Sequence, residues 1–184
     1  MELARILRKG WTATVGPDET GIVSADTLCG STASHFEVSD GRLSFFKLES
    51  ISAKTAAIAV ALGRKEVDEV EYLTITDDIL KTVGIELEDN PGKTSYSVVN
   101  NEHVDGCGIN LSKLSSLIIH SAQKGTPGVL ESREVVREIC EAYLEDPESI
   151  KINEKLLERL LQTKAYKKIA SERKKLGCPP IFPE

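Results

Sequence analysis

The stretch SADTLCGSTASHFEVSDG, residues 24–41, sets an acid, a thiol, a glycine and a run of hydroxyls between two strand-like segments. It can hold a phosphate or a metal, or it can be a polar hairpin loop. Glycine at Gly30 lets the backbone approach a phosphate, and the hydroxyls of Ser31 and Thr32, with free backbone amides, donate to it. Cys29 beside Gly30 is either a reactive thiol or a small buried residue. A second group is His103, Asp105 and Cys107, spaced i, i+2, i+4. On an extended segment these three point the same way and suit a transition metal. His120 lies in an apolar helical stretch and reads as a core residue. The chain contains no G-x-S-x-G, P-loop or G-x-G-x-x-G signature, and spacing alone assembles no Ser-His-Asp or Cys-His set.

These residues need elements to position them. Leu3, Ile6 and Leu7 have helical spacing and precede Gly10, which predicts a short helix over Met1 to Lys9. Trp11 to Val15, Gly21 to Asp26 and His35 to Ser39 read as strands, and Asp40-Gly41 is a hairpin signal leading into the strand Arg42 to Leu48. Ser52 suits the N-cap and Gly63 the C-cap of an alanine-rich helix. Val70 to Thr76 reads as a buried strand, returned by that helix parallel to the first. A short helix over Ile79 to Val83, a turn at Asn90-Pro91-Gly92 and a strand over Thr94 to Asn100 come next. Helices are then expected over Leu111 to Gln123, from Thr126-Pro127 through the stripe Val135 to Leu144, and over a second long segment, Leu156 to Ile169.

The fold class expected is therefore α/β: a mixed sheet with an antiparallel three-strand meander, alternating helices and strands, and C-terminal helices. A core over residues 1–125 and a helical extension over 126–184 fit the 184-residue length, which is short for two full domains. No apolar run is long enough to span a membrane, and Met1 to Lys9 is too short an apolar stretch for a signal peptide. A cytoplasmic location with no membrane partner is expected. The four cysteines lack C-x-x-C pairing and are read as reduced. Net charge is -6, yet Lys151 to Lys175 holds nine basic residues against three acids, or +6, leaving -12 elsewhere. Such a basic helix can meet nucleic acid, a protein partner, or its own acidic body.

The element order, with an acid ending the first strand and another ending the fourth, resembles the ribonuclease H-like superfold over roughly residues 20–125. The resemblance implies a cluster of acids around Mg²⁺: Asp26, Glu49, Asp77 or Asp78, and Asp105 or Glu134. Asp26 and Asp77 are the implied metal ligands, and Asp26, Glu49, Asp77 and Asp78 the implied catalytic set. Two metal ions in such a cluster activate water and stabilise the leaving oxygen of a phosphodiester. The family's glutamate lies within the first helix, where this chain has Ala53 and Lys54. Asp26 followed by Gly30-Ser31-Thr32 is also similar to the first phosphate loop of actin-like ATPases and sugar kinases, and Val104 to Gly108 to their second, so Gly30, Ser31, Thr32 and Asp105 are implied ligand contacts. The resulting expectation is a phosphorylated ligand, nucleotide or nucleic acid, with Mg²⁺-dependent hydrolysis of phosphate esters if the domain is an enzyme. The other readings are a non-catalytic subunit that self-associates or docks a partner through Leu156, Leu157, Leu160 and Leu161, and a small-molecule enzyme using the Cys29 and His103 loops.

Overall fold

A computed structural model describes residues 1–7, 36 and 38–182. The strands expected at Trp11 to Val15 and Gly21 to Asp26, with Asp26, Cys29, Gly30, Ser31 and Thr32, lie outside the described residues. The chain is mixed α/β with C-terminal helices, as expected. Its six described strands are β1 (Glu2–Leu7), β2 (Leu43–Lys47), β3 (Val70–Thr76), β4 (Glu86–Asp89), β5 (His103–Cys107) and β6 (Thr126–Leu130). They form one sheet in the order β4-β5-β2-β1-β3-β6, with every described pairing antiparallel. Val70–Thr76 is the strand expected, and both its sheet neighbours, β1 and β6, run antiparallel to it; the strand it was expected to parallel lies outside the described residues.

Helices cover both faces. On one lie α1 (Ala53–Leu62), α4 (Ser132–Glu145), α5 (Glu154–Gln162) and α6 (Lys164–Lys175); on the other lie α2 (Asp77–Thr82) and α3 (Leu111–Lys124). Alanines at 56, 57, 59 and 61 let α1 lie close on β1 and β3 while its far side meets α4. Its ends are the expected ones: Ser52 accepts from the amide of Thr55, and the amide of Gly63 bonds back to Val60 and Ala61. The Asp40-Gly41 turn also forms as read. Ser39 and Arg42 exchange both backbone hydrogen bonds, and φ is +52° at Asp40 and +71° at Gly41, the pattern of a type I′ turn.

Three expectations are corrected. Residues 2–7 are a strand, because β1 is central and buried on both faces: Leu3 and Leu7 face one core, Ala4 and Ile6 the other. Residues 94–100 do not pair as a strand beyond a single bridge at Tyr96. The amide and hydroxyl of Thr94 both donate to Asn100 Oδ1, and a 3-10 turn, Ser97–Glu102, follows. Thr126-Pro127 begins the edge strand β6 rather than a helix. Proline is tolerated on an edge, and β6 is an edge of the described sheet; the Tyr72 ring lies over Gly128, where a Cβ would meet it at 2.2 Å and push it aside. α4 starts only at Ser132, where Glu131 and Glu134 form a reciprocal capping box.

The last two helices share the core of the sheet. Leu156 and Leu160 are fully buried in that core, so of the four leucines read as a docking surface these two are spent on the fold. The long helix expected there breaks at Thr163, whose hydroxyl donates to the Leu160 carbonyl and accepts from the Tyr166 amide. Past α6 the chain turns back at Gly177, and Phe182 is buried between Tyr143 and Tyr166, with ring centroids 4.8 and 5.8 Å away.

Candidate functional site

The acids named from the sequence are held apart. Leu48 donates its amide to Glu2, and Asp77 donates its amide to Met1, so Glu49 and Asp77 sit at one end of the sheet with β1 between them. At strand spacing their backbones are about 10 Å apart. Glu49 is exposed. Asp77 is the first residue of α2, following the cap position at Thr76. Its carboxylate takes the Lys81 ammonium at 2.8 Å and the Met1 amino group at 3.2 Å, and those two cations hold it below the usual carboxylate range. Asp78 faces solvent and lies 3.5 Å from Lys81. Glu134 closes its capping box.

Asp105 lies elsewhere, in the middle of β5. Strand β5 puts His103, Asp105 and Cys107 on one face, the shared orientation their spacing suggested. Their functional atoms do not converge. Ser44 Oγ donates to Asp105 Oδ1 (3.1 Å), Asn90 Nδ2 donates to Oδ2 (2.6 Å), and Arg42 sits 3.6 Å from Oδ2 while also holding Glu88 at 2.9 Å. His103 Nδ1 is 2.6 Å from the Asn90 carbonyl, and its ring stands edge-on to Phe46. Burial, reinforced by Glu88, pushes the Cys107 thiol up. Among the described residues no three His, Cys, Asp or Glu side chains are grouped to hold a metal. With both Asp77 oxygens engaged by cations, its carboxylate as placed does not fit a magnesium site, and Asp26 falls outside the described residues.

The opposite arrangement occurs on α6. Thr163 restarts the helical phase, and packing on α4 and α5 turns Ala165, Tyr166 and Ile169 toward the core. Lys164, Lys167, Lys168, Lys174 and Lys175 are then left exposed on the outer side. At 3.6 residues per turn these five lysines fall within an arc of about 120°. No carboxylate among the described residues lies within ion-pairing distance of any of them, and Glu172, the one acid of α6, is turned to the flank of the arc.

Fold and surface together define an antiparallel sheet sheathed in helices on both faces, with a one-sided basic helix outermost. No protein-family model, curated protein or solved structure matches this chain. No helix among the described residues is long and apolar enough to cross a membrane.

Proposed function

We propose that this domain binds nucleic acid through the lysine face of α6. The observation that carries the reading is the array itself: five exposed ammonium groups on one side of a 12-residue helix, with no ion-pair partner among the described residues, in a chain of net charge -6. The helix is about 18 Å long, so it can follow several consecutive phosphates. Each phosphate neutralised releases condensed counterions, and binding then weakens in proportion to the number of contacts as salt rises. The acidic remainder of the surface repels the same backbone and confines contact to this face. The reading is one of binding: of the acids named from the sequence, Asp77 already holds two cations, and Asp105 a hydroxyl, an amide and a guanidinium.

The test is a salt titration of affinity for a fluorescent single-stranded oligonucleotide. For a single strand the logarithm of affinity falls with the logarithm of salt at about -0.7 per phosphate engaged. Wild type is expected to show a slope of about -2 to -4, and Lys167→Gln/Lys168→Gln/Lys175→Gln one shallower by about 2. A slope unchanged in the triple variant would place the contact off α6 and sink the proposal.

A further inference from the structure

Beside the lysine face lies a cavity of about 320 Å³, roofed by the returning segment and floored by α6. Tyr166, Ala170 and Arg173 line it from the helix, and Cys178, Pro180 and Ile181 from the returning segment. Lys174 belongs both to this wall and to the exposed lysine arc, so cavity and arc share a border. Apolar walls of this size accept a planar ring and do not suit a phosphate. Among the polar groups of this wall, Arg173 is the one with a buried donor. Its guanidinium donates one long hydrogen bond, to the Pro179 carbonyl at 3.4 Å, while its Nε is buried with no acceptor. A guanidinium carries five N–H donors in a plane, so most of this one's capacity is unspent. The segment above it is anchored by Phe182, which keeps the roof in place.

We infer that this cavity receives an unpaired base of the strand whose phosphates lie on the α6 lysines. The inference rests on the proposed nucleic-acid reading and deepens it: the preferred ligand is single-stranded, because a base inside a duplex cannot be splayed into a pocket without unpairing. Apolar and aromatic contact with a base is sequence-tolerant, and the Arg173 donors favour a base edge that presents acceptors.

The experiment compares oligothymidine with an abasic deoxyribose-phosphate oligomer of the same length and charge, on the full chain at fixed low salt. Oligothymidine is expected to bind about tenfold tighter. It should also slow alkylation of Cys178, read by peptide mass, whereas the abasic oligomer should not. Ala170→Trp, which fills the cavity, should reduce oligothymidine to the abasic affinity and leave abasic binding unchanged. Should that variant fail to fold, Cys178 protection on the wild-type protein decides alone. Equal affinities with equal Cys178 protection overturn the inference and leave lysine-face binding standing. Binding of neither oligomer overturns both.

Discussion

Asp105 and the lysine face of α6 carry charge under opposite conditions. Asp105 is 5% exposed, and each of its oxygens has a hydrogen-bond donor from this chain. The lysines are exposed and have no partner within the described structure. A buried charge persists only when it is paired and hydrogen-bonded, so a fully satisfied one has its chemistry directed inward. An exposed unpaired charge is held at little cost by water and remains available to a ligand. Residue type alone would have pointed to the carboxylate as the functional group; its partners point to the lysines.

The comparison is most easily broken at Asp105. Asp105→Ala leaves the Ser44 hydroxyl and the Asn90 amide without their acceptor and Arg42 with Glu88 alone, and should lower stability by about 3 kcal/mol, measured by urea unfolding. Oligonucleotide affinity of the folded fraction should not change. A variant that keeps its stability and loses binding would reverse the assignment. The converse holds on α6, where Lys167→Gln/Lys168→Gln/Lys175→Gln should cost more than tenfold in affinity at about 50 mM salt, with a urea midpoint close to wild type.

Much of the fold was legible because local signals agreed with tertiary demands. Asp40-Gly41 supplied the positive φ its turn needs, and Ser52 with Gly63 bounded α1. β1 was misread for a physical reason. A strand buried on both faces loses its alternation, and Leu3, Ile6 and Leu7 then fall at helical spacing. β4 and β5 were missed because ELED and HVDGC are short and polar, and they are kept in the sheet by tertiary contacts such as the close approach of Gly106 to Phe45 and Ile85. The basic bias of residues 151–175 was plain as a sum. Which lysines share a face was not, since the phase of α6 is reset at Thr163, a break the leucine and lysine spacing does not announce. The cavity was illegible for a different reason, because it depends on Phe182 returning to Tyr143 and Tyr166 across the end of α6.

The cysteines sharpen the contrast between inward and outward chemistry. Burial pushes the Cys140 thiol up to about 12, so almost none of it is thiolate at neutral pH, whereas Cys178 is exposed. Among the three described cysteines, alkylation mapped by peptide mass should modify Cys178 first, Cys107 more slowly, and Cys140 only on unfolding. Early modification of Cys140 would mean that the core beneath α6 opens, and the lysine face could then not be treated as a rigid array.

Asp77 stands between the two cases, with a side chain 15% exposed and cations on both oxygens, one of them the exposed Lys81. Its carboxyl titrates lower folded than unfolded, so the stability it contributes is present above the ordinary carboxylate pKa of about 3.9 and is lost as pH falls through the lowered folded value. Asp77→Asn never holds that contribution. The gap between wild-type and variant urea midpoints should therefore be constant from about pH 6 to pH 5, narrow below about pH 4, and shrink with added salt. This is the smallest effect expected, because a partly exposed ion pair is worth little. A gap that widens on acidification would mean that the two cations do not hold Asp77 in solution. The carboxylate would then be free, and the case for setting it apart from a metal-binding role would fall with the ion pairs.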